Sequence, residues 1–348
     1  MFNKMKELPN DNIRSWFDKL TEKYNVYAPV NIPAGGRYQG IDAVQYKNVD
    51  SFEKIVFDKR SDYPMKEVIT PITQTLYTFM GDDYREVPLE NQKDYLIFAR
   101  ACDINSVKIQ DQIYLENGNF EDLFYSRVRE KIHFALIECT NEFDGCFCVS
   151  TNTNKVDDKD IAFKIAIRDG KVFINANEDF SQDLEQLNDS SIEFTYPEEN
   201  ELKVNFPEFK GIEEVNELKN HPMWDEYQSR CIHCGSCTTA CSTCTCFDTR
   251  DMVYNINHHV GERRRTEASC MIASFDEVAG GAHFRKSTKD RYRYKILHKI
   301  YAHNARFKTG AMCVGCGRCS AHCPQLISYP ETINKVSKAL EEIRDREV

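Results

Sequence analysis

Apolar residues recur at helical spacing around Ile13–Leu20, predicting an amphipathic helix near the start of the chain. The turn-rich segment PVNIPAGGRYQG at 29–40 reads as a loop feeding a strand. Short apolar runs at Tyr95–Ala99 and Ile132–Cys139 read as buried strands, and the helix-like stretch 107–130 between them predicts a strand–helix–strand unit. Ile161, Phe163, Ile165 and Ile167 alternate with other residues, Asp169-Gly170 supplies a two-residue turn, and Val172 and Ile174 resume the alternation. That is a hairpin with a primed turn. An irregular acidic segment then runs to about His221-Pro222. Beyond it no convincing strand is visible, whereas Asp290–Arg306 and Ile333–Ile343 carry apolar residues at helical spacing. The pattern therefore predicts an α+β N-terminal domain of α/β type over 1–220. An all-α helical domain over 221–348, where the cysteines concentrate, would follow it.

Composition narrows the class. A hydrophobic content of 41%, a charged content of 29% and a mean hydropathy of −0.57 describe a globular chain, and no apolar run is long enough to span a bilayer. The N-terminus has charges scattered through it and no secretory pattern, so a cytoplasmic location is expected. A net charge of −10 argues against nucleic acid as a partner. The charge is uneven. Residues 178–202 hold nine acidic side chains and no Lys or Arg, which reads as a solvated loop; 261–310 hold twelve Lys or Arg against five Asp or Glu. The basic stretch reads as a solvated helix face, or as a positive patch offsetting the charge of anionic centres.

Fifteen cysteines in a chain of this length change the picture most. In a reducing compartment, with these spacings, they read as metal ligands rather than disulfides. Cys231, Cys234, Cys237 and Cys241 follow C-x₂-C-x₂-C-x₃-C, and Cys313, Cys316, Cys319 and Cys323 repeat it, the second run followed by Pro324. Such a run wraps three thiolates around one [4Fe–4S] cubane and sends its fourth cysteine to the other cluster. The first cluster is thus expected on Cys231, Cys234, Cys237 and Cys323, and the second on Cys313, Cys316, Cys319 and Cys241. Gly235, Ser236, Gly315 and Gly317 would let backbone N–H groups approach the sulfurs. A pair of zinc sites needs only four ligands per site, in two pairs, and does not account for a three-plus-one pattern occurring twice. The 71 residues between the runs exceed what a compact ferredoxin needs. Ser242 stands where a proline is usual and Cys244 and Cys246 follow, so either could replace Cys241, which is the preferred ligand.

Cys102, Cys139, Cys146 and Cys148 form a further set, the first two at or just past predicted strand ends and the last two on one side of an extended segment. By spacing alone they read equally as a site or as buried structural thiols. The stretches RACDINSVKIQD, IECTNEFDGCFCVS and CIHCGSCTTACSTCTCFD together resemble the anaerobic sulfite reductase A-subunit family and the related beta subunits of cytoplasmic sulfhydrogenases, over roughly residue 90 to the end. The resemblance implies that Cys102, Cys139, Cys146 and Cys148 ligate a third [4Fe–4S] cluster. It also implies an electron relay from a flavoprotein subunit that oxidises NAD(P)H to a siroheme subunit reducing sulfite to sulfide. Service to a hydrogenase in a sulfhydrogenase is the alternative, and an iron–sulfur redox sensor or a zinc-stabilised adaptor is the alternative of another class. Cys244, Cys246 and Cys270 remain as structural or supporting thiols. His233 and His322, inside the runs, read as surface or supporting residues, and His258, His259 and His283 lack partners at ligand spacing. Pro33–Gly36 and Gly280-Gly281 are too short for nucleotide loops, so no flavin or nucleotide is expected on this chain, and no catalytic constellation is visible.

Overall fold

The computed structural model describes residues 4–88, 93–140, 143–177, 180–181 and 184–346. Glu178, Asp179 and Asp183 of the acidic stretch lie outside the described residues, as do Asn141 and Glu142 of the IECTNEFDGCFCVS segment. The strands are β1 (Lys6–Leu8), β2 (Tyr24–Ile32), β3 (Ala43–Asn48), β4 (Thr73–Met80), β5 (Asp83–Glu86), β6 (Asp94–Ala99), β7 (Ile132–Ile137), β8 (Phe163–Arg168), β9 (Lys171–Ala176), β10 (Phe247–Asn255) and β11 (Val260–Glu267). The chain divides into two compact units: 1–70, 88–143 and 153–199 form the first, and 71–87, 144–152 and 200–348 the second. It thus crosses between units several times, where the sequence pattern suggested one boundary near His221-Pro222.

The first unit is built on a seven-stranded sheet in the order β1-β9-β8-β7-β6-β2-β3. Its middle pairs, β2 with β6, β6 with β7 and β7 with β8, are parallel, and the outer pairs are antiparallel. The parallel centre is apolar on both faces because helices cover both. Leu96, Phe98, Ala135 and Ile137 face one core with Trp16 and Phe17 of the Asn10–Lys23 helix. Ile97, Ala99, Phe134 and Leu136 alternate to the other, with Ile104 and Val107 of the Ala101–Tyr114 helix and Tyr125 and Val128 of the Leu123–Arg129 helix. The helix predicted over 107–130 is therefore two helices, broken in the bend around Gly118, whose φ is 107°. The β8–β9 hairpin carries its two-residue turn at Asp169 and Gly170, with φ of 51° and 74°. Both signs are those of a type I′ turn.

The second unit holds the two cysteine runs and is not all-α. Its four-stranded antiparallel sheet, β10-β11-β4-β5, combines the hairpin between the runs with the 73–86 excursion. The strands escape sequence patterning because β10 is exposed along nearly its whole length and β11 reads VGERRRTE, so neither presents an alternating apolar face. Cross-strand charge holds them instead: Arg263, opposite Asp251, donates to it from Nε and Nη2 at 2.6 and 2.7 Å.

Helices supply the core of this unit. The Tyr329–Arg346 helix buries Ile333, Val336, Leu340 and Ile343 at three- and four-residue spacing against the Ile212–Lys219 helix and the Thr288–Leu297 helix. Tyr227 and Tyr292 lie 4.4 Å apart by ring centroid, and both hydroxyls share Thr332 Oγ1, at 3.0 and 2.9 Å. Asp276 anchors the segment before the Thr288 helix. Its Oδ1 accepts from Arg291 Nη1 at 2.8 Å and its Oδ2 from the Arg285 N–H at 2.7 Å, with the Asp276 and Arg291 side chains 3% and 4% exposed. Burial alone would raise the Asp276 carboxyl, but the two arginines and that N–H outweigh it and hold it below its ordinary 3.8. Asp276→Asn should cost about 3 kcal/mol, because Arg291 is left buried without its counter-charge. A group with a lowered native pKa stabilises above its unfolded value, so the difference between parent and variant in denaturant melts should shrink as pH falls below 3.8.

Candidate metal centres

The two runs fold alike. Each sends its chain through a left-handed residue before the second cysteine, His233 at φ 58° and Gly315 at φ 62°, and another after it, Gly235 at φ 77° and Gly317 at φ 72°. The third cysteine then lies in a one-turn helix, Ser236–Thr239 or Arg318–Ala321. The left-handed steps coil each run so that its three sulfurs converge. His233, which the sequence offers only as a surface or supporting residue, thus has a backbone role. Its Nε2 is buried with no partner among the described residues, and burial and Arg291 hold the ring below the ordinary imidazole range.

Each fourth cysteine lies near sulfurs of the other run. Cys231, Cys234, Cys237 and Cys323 line one recess, closed by Tyr292 and Tyr329 and also touched by Cys319. Burial raises the Cys231 thiol, the His233 N–H lowers it, and Cys237, Cys234 and Cys323 raise it further. Cys241 stands with the other run: burial raises Cys319, and Cys241, Cys313 and Cys316 push it higher still. Burial likewise pushes Cys313 up to about 12 despite the Gly315 N–H that bonds its sulfur at 3.5 Å. Among the described residues no three Cys, His, Asp or Glu side chains are drawn together as ligands of a single metal ion. What the runs present is two groups of thiols in which neighbouring sulfurs disfavour ionisation of Cys231 in one and of Cys313 and Cys319 in the other. A cationic iron core would relieve that mutual repulsion and take the thiolates. The donor chemistry fits the cluster.

Cys244 and Cys246 are each hydrogen-bonded to another cysteine in this arrangement. The Cys244 thiol donates to Cys241 and holds it well below the ordinary thiol range, against burial and with help from Lys299, Lys295 and Thr243. Cys270 donates in the same way to Cys246, at the foot of the β10–β11 hairpin. The three spare thiols are thus bonded to other cysteines.

Sequence patterning misses two residues here. Lys295 and Lys299 fall in the basic stretch but are buried, at 2% and 3% exposure. Lys295 Nζ donates to Thr238 Oγ1 at 3.2 Å and Cys244 Sγ at 3.5 Å; Lys299 Nζ donates to Thr243 Oγ1 at 2.8 Å and the Met312 carbonyl at 3.2 Å. One turn of π-helix at His298–Ala302 makes the second arrangement possible. The His303 N–H reaches back to the His298 carbonyl, freeing the Lys299 carbonyl to accept the Met312 N–H at 2.7 Å. Lys299 therefore grips, through both ends, the residue preceding Cys313. Their only sequence signal is spacing: both fall on the face of the helix that carries Tyr292 and Ile296.

The further cysteine set divides between the units. Cys102 lies just past the end of β6, in the first turn of the Ala101–Tyr114 helix, and Cys139 follows β7, lining a cavity of about 250 Å³ with Asp58 and Glu138. Both belong to the first unit; Cys146 and Cys148 belong to the second. There the Phe147 N–H donates to the Gly315 carbonyl at 2.7 Å and Cys146 Sγ lies 3.6 Å from the Cys316 carbonyl. This segment is irregular rather than a strand. His322 Nδ1 lies 3.0 Å from the Arg318 carbonyl, His258 and His259 sit at the hairpin tip, and His283 is 3.9 Å from Asp276.

Residues 230–327 match the family model described as a 4Fe-4S dicluster domain. The C-terminal part of the chain is such a dicluster domain, with β10 and β11 placed between its two runs. Across nearly the whole length the chain is similar to the sulfhydrogenase 2 subunit beta of Pyrococcus furiosus, at 26% identity over 347 residues, 96% of this chain and 98% of that one. No solved structure matches it. Sulfite reductase is the first expectation from the motif stretches, and this relative favours the sulfhydrogenase alternative instead. Among the described residues no helix is long and apolar enough to cross a membrane.

Proposed function

We propose that the chain is the iron–sulfur electron-transfer subunit of a sulfhydrogenase-type complex. The interleaving carries this reading: Cys323 joins the sulfurs of the first run and Cys241 those of the second, so both centres belong to one folded domain. Bound on these residues, two [4Fe–4S] clusters supply one-electron redox chemistry. The chain's own part is to hold them, exclude water and leave one opening. Tyr292 and Tyr329 shield the first recess, whereas Cys234 is exposed, and Ile232, which also lines it, is 55% exposed. An exposed apolar rim at a ligand suits electron exchange with a partner.

In this reading electrons pass between a flavoprotein subunit that handles NAD(P)H and a hydrogenase subunit. The sulfite reductase relay, with a siroheme subunit, stays the second reading because the RACDINSVKIQD, IECTNEFDGCFCVS and CIHCGSCTTACSTCTCFD stretches resemble both families. The third cluster rests on that resemblance, and Cys146→Ser tests it: a loss of about four irons per chain supports it, and unchanged iron removes it. Anaerobic purification of the native complex separates the partners. Co-purifying nickel supports the sulfhydrogenase reading, siroheme absorbance supports the other, and isolated chain that reduces sulfite unaided contradicts both.

A further inference from the structure

Lys295 and Lys299 stand one turn apart on the same helix, buried in an apolar interior. Two ammonium groups so placed repel one another and have lost their hydration, and both are retained only where anions compensate. Among the described residues neither lysine forms an ion pair with a carboxylate; their ammonium groups meet two threonine hydroxyls, one carbonyl and one sulfur. The groups within reach that would carry negative charge are cysteine sulfurs, once Cys237, Cys241 and Cys313 ionise to hold the clusters. Burial pushes Lys295 down, but Cys237, Cys244, Cys270 and Cys241 more than reverse it; for Lys299 the reversing sulfurs are Cys241, Cys244 and Cys313. Lys295 thus feels Cys237 of the first cluster and Cys241 of the second, and Lys299 feels Cys241 and Cys313 of the second.

We propose that Lys295 and Lys299 are fixed counter-charges that tune the two clusters, Lys299 acting on the one held by Cys241, Cys313, Cys316 and Cys319, and Lys295 acting on both. A [4Fe–4S] centre gains one negative charge on reduction, so a buried cation stabilises its reduced form and raises its potential. The proposal rests on the two-cluster reading. It makes these lysines positioning residues for charge, with no proton or bond exchanged.

Redox titration of the anaerobically prepared full-length chain, followed by electron paramagnetic resonance alongside iron content, tests it. Lys299→Gln keeps a hydrogen-bonding end for Thr243 while removing the charge. It should shift one midpoint about tenfold toward the oxidised form, about 59 mV for one electron, and leave the other in place. Lys295→Gln should lower both, and the Arg variants should restore the parent values. Iron lost in a Gln variant but kept in its Arg counterpart also supports the proposal, since the two differ in charge. Equal loss in both, or full iron with unmoved midpoints, overturns it and leaves the two-cluster reading standing. A parent chain without iron overturns both.

Discussion

Cys323→Ser should abolish the first cluster although the residue lies in the second run, taking iron from about eight to about four atoms per chain in a two-cluster protein. The reason is positional: Cys323 lines the recess of Cys231, Cys234 and Cys237, while Cys241 stands with Cys313, Cys316 and Cys319. Combining substitutions makes this decisive. A Cys234→Ser, Cys323→Ser double variant should lose no more iron than either single, because both remove ligands of one cluster. A Cys316→Ser, Cys323→Ser double variant should lose both clusters. If the pairs behave the other way round, each run serves its own cluster and the crossed assignment fails. A third cluster would leave four more irons in each case without altering the comparison.

Gly315→Ala should be the most damaging change of a single methyl group. At φ 62° the residue is left-handed, and an added Cβ would sit 2.5 Å from the Phe147 carbonyl carbon and oxygen and 2.6 Å from the Cys148 nitrogen. Those atoms are backbone and cannot swing aside, and the Phe147 N–H is bonded to the Gly315 carbonyl at 2.7 Å. Left-handed strain and overpacking together should cost about 3 kcal/mol. The loss should appear as a lowered thermal midpoint together with loss of the second cluster, since the coil presenting Cys313 and Cys316 is displaced. Gly281→Ala makes the control. Its φ is 75°, but nothing lies within 4 Å of the added atom, so only the strain of about 1 kcal/mol remains. Equal effects at the two positions would mean that contact with Phe147 is unimportant.

What can be read from the chain follows the range of the physics behind each feature. The Asn10–Lys23 helix, the strands β6 and β7 and the Asp169-Gly170 turn are set by periodicity and by φ preferences within a few residues, and they stand where patterning puts them, whereas the one helix expected between the strands is two. The sheet β10-β11-β4-β5 is set otherwise. Its strands bury no continuous face, Arg263 pairs with Asp251 across the hairpin, and Thr75 reaches Glu262 at 3.1 Å from far earlier in the chain. No local apolar pattern encodes such pairing, which is why the pattern points to an all-α domain. The cluster ligands are legible because three thiolates on one coil require fixed spacing. Lys295 and Lys299 are hidden by the opposite logic: a lysine is ordinarily solvated, and its burial is set by sulfurs elsewhere in the chain, from Cys237 to Cys313. Cys102 follows β6, which stops at Ala99 as the apolar run does, and lies in a helix that begins at Ala101 and that patterning starts only at 107.

Anaerobic purification of the full-length chain, with metal analysis and a reductive titration followed by electron paramagnetic resonance, tests the central claim most directly. At least about eight irons per chain, matched by inorganic sulfide and by two one-electron reductions of [4Fe–4S] type, is the predicted result. Zinc in place of iron, or a chain that takes up no reducing equivalents, would contradict it.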